Sequence, residues 1–287
     1  MRHPWLLDSV ACPSDRRARR MMNDWNTRAP AQAIEVLGAN GVHADAWNIL
    51  SSSNRLVVEL RPCGLIAKIV PVVDYARLAR ELAVAAHIMT CNGPTAIPAC
   101  QRPYRASSVA ISLWKPLRLL GQPSESATCS AYLELRRSLD LFREALPDFR
   151  EPIAEARRLT EKSVMRRLPG RDLALLRTTF SSTLSALSEL RWTERTLHGD
   201  PHSGNVALSP DGPRWIDFES ACAGPLEWDL SALKTRASGF AHDPALLTVL
   251  VSLRRACVVA WCSAKANPTS SDLDAIAHHL EVLRAEV

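Results

Sequence analysis

The apolar pattern of this chain changes period once, between Trp114 and Leu117, and that change restricts it to folds in which a small sheet precedes a larger helical region. Upstream, the β-rich runs "AWNIL", "RLVVEL" and "GLIAKIV" are separated by "SSSN" and "RPCG", whose Ser, Asn, Pro and Gly favour tight turns. The three runs predict an antiparallel meander. "APAQAIEVLGANG" (Ala29 to Gly41) precedes it as a short helix stopped by Gly38 and Gly41. "DYARLARELAVAAHIMTCNG" (Asp74 to Gly93) reads as an amphipathic helix: Asp74 at the N-cap, apolar positions at Tyr75, Leu78, Leu82, Ala85 and Met89, and a terminal Asn-Gly. After a Pro-rich connector, "SVAISLW" (Ser108 to Trp114) is a further strand. From Leu117 onward, segments such as "ATCSAYLELRRSLDLFREAL" and "DLALLRTTFSSTLSALSEL" carry helical periodicity.

With 287 residues the chain exceeds the usual single-core size, so two domains are expected. Eight cysteines occur without any C-x-x-C spacing, which disfavours a zinc site and leaves reduced thiols as the expectation. No apolar stretch approaches the roughly 18 residues of a membrane span. The opening "MRHPWLLDSVACPSDRRARR" lacks the apolar run of a signal peptide, so no membrane partner and a cytoplasmic location are expected. A net charge of +5 and the run "DRRARR" (Asp15 to Arg20) raise the possibility of nucleic-acid binding. A short basic run near a terminus is ordinarily a solvated tail, and no zinc-finger or RNP-type motif accompanies it. No nucleic-acid partner is expected.

Inside the helical region, "NVALSPDGPRWIDFE" (Asn205 to Glu219) forms two short strand-like runs around the turn residues Ser209, Pro210, Asp211 and Gly212. Symmetry about Asp211 places Asn205 opposite Asp217, where cross-strand Cβ atoms lie within roughly 5 Å. The preceding loop, "LHGDPHSGNV", carries Asp200. Two carboxylates about 4 Å apart repel by roughly 4 kcal/mol at an effective dielectric of 20. A divalent cation relieves that cost, and hard oxygen ligands favour Mg2+.

Three stretches in this order, "HGDPHSGN" (His198 to Asn205), "IDFE" (Ile216 to Glu219) and "GPLEWDLSAL" (Gly224 to Leu233), resemble the aminoglycoside phosphotransferase and choline kinase type of small-molecule kinases. More weakly, "SSSNRLVVEL" with "GLIAKIV" is similar to that family's nucleotide loop and lysine-bearing strand, and "RELAVAAHIM" to the helix carrying the lysine's glutamate partner. The resemblance runs from about Ala29 to Leu233. It implies an α+β, bilobal, protein-kinase-like fold with a small antiparallel-sheet N-lobe and a larger, mainly helical C-lobe. The corresponding division is an N-terminal extension over 1–28, a nucleotide-binding lobe over 29–115 and a catalytic, substrate-binding lobe over 116–287.

It further implies ATP and Mg2+ as cofactors and phosphoryl transfer to a hydroxyl of a small molecule, a reaction governed by positioning and charge neutralisation. Asp200 would accept the hydroxyl proton, and Asn205 and Asp217 would hold Mg2+. Lys68 would neutralise the α- and β-phosphates with Glu81 holding it in place. Ser51, Ser52 and Ser53 would line the nucleotide loop, and backbone groups around Leu113, Trp114 and Lys115 would meet adenine. The loop lacks the glycines that let backbone N–H groups approach phosphates. Phe218 is followed by Glu219 rather than glycine, which separates the chain from protein-phosphorylating enzymes.

Each residue also has a purely structural reading. Asp200 caps a turn after Gly199, Asn205 starts a strand, Lys68 faces solvent from a β-run, and Glu81 pairs with Arg77 one helical turn away. His198 and His202 could carry protons, but the family resemblance implies that His198 is a structural support for the loop, a structural reading is taken for His202 as well, and Asp229 in "EWDL" is implied to brace the same loop. Carboxylates after Asp217 are mixed with basic residues, so no acidic surplus marks a polycationic acceptor. An aminoglycoside or other antibiotic, implying a resistance role, is the leading expectation, with an amino alcohol or sugar beside it. A catalytically silent nucleotide-binding scaffold is the rival reading.

Overall fold

A computed structural model describes residues 16–286 apart from 53–54, 162–164, 166–167, 234–238 and 266–267. Side chains are described from residue 25 onward. The described chain divides into two compact units. One holds the residues up to Glu144 together with Asp200–Ala221, and the other holds Ala145–Gly199 and the chain from Cys222 onward.

The first unit is built on a five-stranded sheet of β1 (Ala44–Ser52), β2 (Leu56–Pro62), β3 (Ile66–Pro71), β4 (Tyr104–Arg105) and β5 (Val109–Trp114), in the order β1-β2-β3-β5-β4 and antiparallel throughout. The three predicted β-runs thus form the expected meander. The two-residue β4 lies in the Pro-rich connector, too short to leave an alternating pattern in the sequence.

Period-two alternation gives the sheet its two faces. Leu56, Val58, Leu60, Ala67, Ile69, Val109, Ile111 and Leu113 cluster with Ala29, Ala33 and Leu37 of helix α1 (Arg16–Ala39). Leu37 is fully buried, so Leu37→Ala would cost about 2–5 kcal/mol. The expected helix at Ala29–Gly41 is the C-terminal part of α1. α1 continues through Pro30 towards the N-terminus, beyond the expected start. Its C-terminal stop is as expected: Gly41 takes φ +81°, and the Val42 N–H donates to the Leu37 carbonyl.

The opposite face of the sheet receives α2 (Tyr75–Thr90), with Leu78 packed on Val70 and Ala110. The buried stripe of α2 is Leu78, Leu82, Ala85 and Ile88, joined by Val84 and by the charged Glu81. Met89, expected on the stripe, is exposed, one position past the inward-facing Ile88. Asp74 occupies the N-cap without a side-chain capping bond and pairs instead with Arg77 at 3.7 Å. α3 (Glu125–Leu139) is capped by the Ser124 hydroxyl, which accepts from the Ala127 N–H.

The hairpin of β7 (Val206–Ser209) and β8 (Gly212–Trp215) also belongs to this unit, in a register one residue away from expectation. Val206 pairs with Trp215 and Ser209 with Gly212 across a two-residue Pro210-Asp211 turn. Asn205 therefore stands opposite Ile216, whose N–H donates to the Asn205 carbonyl at 3.0 Å, and not opposite Asp217. Gly212, at φ +99°, closes the turn where symmetry about Asp211 had assumed a longer one.

The second unit is mainly helical. α4 (Arg150–Leu159), α5 (Gly170–Glu189), α6 (Leu226–Leu230), α7 (Pro244–Ala264) and α8 (Ser270–Ala285) surround a core that includes Phe149, Phe180, Trp228, Leu250 and Leu253, with the two-stranded pair β6 (Arg195–Leu197) and β9 (Cys222–Gly224). α7 corrects one expectation. Its 21 residues, with a mean hydropathy of 1.7 over the most apolar window, are long and apolar enough to cross a membrane by length and composition. Ten of them, among them Leu246, Leu250, Leu253, Cys257 and Val259, are instead buried within this unit. Among the described residues no cysteine forms a disulfide.

Candidate active site

The alternation that puts Ala67 and Ile69 against α1 turns Lys68 to the α2 face of β3, the central strand of the sheet. One helical face of α2 brings Glu81 towards it. The Lys68 Nζ donates to the Glu81 Oε1 at 2.6 Å, and both side chains are only 2% exposed. The structural alternatives for these residues, a solvent-facing lysine and a glutamate paired with Arg77, do not describe this geometry. Burial, the dominant influence, pushes the Glu81 carboxyl above its usual range against the opposing pull of Lys68. Its Oε2 is buried without a hydrogen-bond partner among the described residues. A pair so placed is expensive to break, because the surviving charge would be stranded in a low-dielectric interior.

Lys68 also reaches the Asp217 Oδ1 at 3.3 Å. Asp217 directly follows Ile216 at the end of the hairpin and adopts a left-handed conformation, φ +69°, that aspartate tolerates better than most residues. Lys68, Glu81 and Asp217, far apart in sequence, thus form one contiguous charge cluster.

Sequence reasoning missed a fourth member, Arg55. Its Nη1 donates to both Asp217 oxygens, at 3.1 and 2.9 Å, and its Nη2 pairs with Glu219. The one available signal was position: Arg55 is the sole cation of the "SSSNR" segment that ends immediately before β2.

On the facing strand at the same open end of the hairpin, the Asn205 Nδ2 donates to the Asp200 carbonyl at 2.9 Å, and the His202 N–H donates to the same oxygen. These bonds fold 200–205 into a compact loop and leave the Asn205 Oδ1 as the acceptor end of a nearly buried amide. The Asp200 side chain is 43% exposed, with the His202 Nε2 3.5 Å from its Oδ2.

In the second unit, the two residues that precede Asp200 in the chain are held by a buried carboxylate. Asp229 accepts the His198 N–H and the Gly199 N–H, each at 2.8 Å. Gly199 sits at φ +87°, where a side chain would be strained. Arg254, also missed, donates to the Gly199 and Trp228 carbonyls and to the Ser231 hydroxyl, with its guanidinium 3.8 Å from the Trp228 ring centroid. Asp229 thus braces the backbone at His198 and Gly199.

The remaining expected residues divide. Ser51 and Ser52 lie at the end of β1, Ser52 pairing with Leu56, while Ser53 lies outside the described residues. Leu113 and Trp114 end β5, and Lys115 follows it. The Leu113 N–H donates to the Cys100 Sγ, its carbonyl accepts from Ala99, and the Lys115 N–H donates to the Ile97 carbonyl. The Trp114 indole N–H donates to the Ser112 hydroxyl. Those backbone groups are engaged within the fold, so an adenine ring would have to use others.

The donor set suits Mg2+, which takes one or two protein oxygens and completes its octahedron with phosphate and water. An amide oxygen at Asn205 and a carboxylate at Asp217 would supply that number. Among the described residues no group of three His, Cys, Asp or Glu side chains forms an all-protein metal cage.

A sheet-borne lysine buried against a helix glutamate and reaching an aspartate at a hairpin end, within an α+β fold, defines the protein-kinase-like class. The phosphotransferase enzyme family model matches residues 50–255, and the chain belongs to that family as a small-molecule phosphotransferase. No curated protein matches it in sequence. Among solved structures it is similar to the amicoumacin kinase hAmiN in complex with AMP-PNP, Ca2+ and Ami, at 11% identity and TM-score 0.64, covering 95% of this chain and 97% of that one. It is also similar to APH(2")-IIia in its GDP and kanamycin complex, at 14% identity and TM-score 0.64, covering 90% and 98%. A third, choline kinase LicA from Streptococcus pneumoniae, shares 13% identity at TM-score 0.65, covering 90% and 100%. At these identities the likeness is one of fold.

Proposed function

We propose that the protein transfers the γ-phosphate of ATP to a hydroxyl of a small molecule, with Mg2+ held by Asn205 and Asp217. The observation that carries this reading is the buried Lys68–Glu81 pair with Lys68 directed at Asp217. A lysine clamped in this way is a fixed positive charge for the α- and β-phosphates and needs no reorganisation when the nucleotide arrives. When bound there, Mg2+ would supply charge neutralisation for the phosphates. Asp200, half exposed on a loop pinned by Asn205, orients the acceptor hydroxyl and takes its proton as the bond to phosphorus forms. Ser51, Ser52 and Ser53 line the phosphates, and the segment Leu113 to Lys115 flanks adenine. Assignment of 29–115 to nucleotide binding and of 116–287 to catalysis and acceptor binding belongs to the same reading, as does a cytoplasmic location.

For the acceptor, an aminoglycoside or another antibiotic comes first, and an amino alcohol or sugar second. Support comes from the family and from the acceptors named for the similar structures, kanamycin among them. A resistance role follows only from the first choice. The test is ADP release measured across antibiotics, amino alcohols and sugars, with Asp200→Ala alongside. Acceptor-dependent ADP release in the wild type that Asp200→Ala abolishes is the expected result.

A nucleotide-binding scaffold without turnover is the second reading. The observation favouring it is Arg55, whose guanidinium lies on the same Asp217 oxygens that a cation would need. ADP release at the same background rate with every acceptor, unaltered by Asp200→Ala, would select it.

A further inference from the structure

We infer that Arg55 is a phosphate-binding residue of the nucleotide loop, and that it exchanges Asp217 and Glu219 for the terminal phosphates of a magnesium-bound nucleoside triphosphate as the cation takes its place on Asp217. The inference rests on the phosphotransferase reading above and extends it to a residue without an assigned role.

Occupancy of Asp217 makes the exchange necessary. Its Oδ1 accepts from Arg55 at 3.1 Å and from Lys68 at 3.3 Å, and its Oδ2 accepts from Arg55 at 2.9 Å. Both oxygens thus carry a cationic donor. A magnesium ion binds a carboxylate oxygen at about 2.0–2.1 Å with strict octahedral geometry. A guanidinium bridging both oxygens of that carboxylate stands where the ion and its waters would be, and carries the same sign of charge. Lys68 is fixed by Glu81 and by burial, so it stays. Among the described residues Arg55 is anchored by carboxylates alone; it immediately precedes β2, and its side chain is 21% exposed. It is the group that can move.

Chemistry supplies the destination. The loop reads Ser51, Ser52, Ser53, Asn54, Arg55, without the glycines through which backbone N–H groups approach phosphates. A guanidinium presents five donors in a planar fork that fits non-bridging phosphate oxygens in pairs, as it now fits the two oxygens of Asp217. The polyphosphate must lie beside Lys68 and Asp217 under the phosphotransferase reading, within one side chain's swing of the present position of Arg55. Charge accounting agrees. Arg55 and Lys68 face Glu81, Asp217 and Glu219, so the five groups are near balance only while Arg55 is present. The arriving ion replaces its charge on the carboxylates and brings the phosphates that receive it. Nucleotide and cation should therefore bind as a coupled pair, and a free divalent ion should compete with Arg55.

The test uses the full-length wild type beside Arg55→Ala and Glu219→Gln, with fluorescent ATP and AMP analogues in magnesium and with Mn2+ binding to nucleotide-free protein read by electron paramagnetic resonance. Loss of a charge-assisted hydrogen-bond pair predicts magnesium-ATP binding weaker by about tenfold or more in Arg55→Ala, with AMP binding unchanged. Mn2+ binding without nucleotide should tighten in the same variant, because its competitor is gone. Glu219→Gln, which removes one anchor of Arg55 and leaves the arginine in place, should tighten magnesium-ATP binding. A merely structural ion pair would neither weaken magnesium-ATP binding in Arg55→Ala nor tighten it in Glu219→Gln. Wild-type binding of magnesium-ATP with unchanged affinity in both variants overturns the exchange and leaves the phosphotransferase reading standing. Absence of magnesium-ATP binding in the wild type overturns both.

Discussion

Lys68 Nζ and Glu81 Oε1 stand 2.6 Å apart with almost no solvent access to either side chain, and the same ammonium reaches Asp217 at 3.3 Å. Lys68→Ala should therefore act twice. Stranding the buried Glu81 carboxylate costs about 3–5 kcal/mol of stability, moderated where Glu81 takes up a proton. Removing the phosphate-binding charge lowers kcat/KM for ATP. Urea unfolding checks the first effect and initial-rate kinetics the second. Unchanged stability would contradict the burial of the pair.

Asp200→Asn keeps the shape of the side chain and removes its capacity to accept a proton. The expected outcome is a kcat lower by about 10²–10⁴-fold. Nucleotide affinity, measured by titration calorimetry, should stay close to that of the wild type, because Asp200 is assigned to the acceptor hydroxyl and not to the phosphates.

Asp229→Ala removes the acceptor for two buried backbone N–H groups, those of His198 and Gly199. Each unsatisfied donor costs about 1–3 kcal/mol, so a loss of several kcal/mol in urea unfolding is expected. Asp229→Asn should recover part of it, since one carboxamide oxygen remains to accept.

Acid should weaken the second unit through His279. Burial, with the neighbouring His278 and Arg255, pushes its imidazole down to about 4, and among the described residues its buried Nδ1 has no hydrogen-bond partner. The unfolded chain binds this proton near pH 6.5 and the folded chain only near 4. The stability associated with neutral His279 is therefore complete above about pH 6.5 and is lost progressively as pH falls towards 4. Thermal melts from pH 7.5 to 4.5 should show the decline. His279→Gln, which cannot titrate, should flatten that portion of the profile.

How much of this was legible in the sequence depends on the range of the interactions involved. The β1–β2–β3 meander, α2 and the β7–β8 hairpin announce themselves through alternation, helical period and turn residues, all local signals. The inward direction of Glu81 followed from its place beside Leu78 and Ala85. Hairpin register was misplaced by one residue because it depends on whether the turn has two residues or three, and "SPDG" admits both. The expected helix began at Ala29 whereas α1 runs from Arg16 through Pro30, a residue that local propensity disfavours inside a helix. Arg55 on Asp217 and Arg254 on Gly199 join residues 162 and 55 positions apart, and no local pattern encodes such a contact. The acceptor stays illegible for a related reason: the charges after Asp217 balance one another along the chain, and which of them meet a substrate is settled by tertiary placement.

The central claim, that this site moves phosphate from ATP to a small-molecule hydroxyl with Asp200 as proton acceptor, is tested most directly by phosphorus NMR of reaction mixtures containing magnesium-ATP and an acceptor found by ADP release. The account predicts a phosphomonoester resonance that grows with the wild type and is lost with Asp200→Asn. A resonance of equal size with the variant, or inorganic phosphate as the sole product with every acceptor, would contradict it.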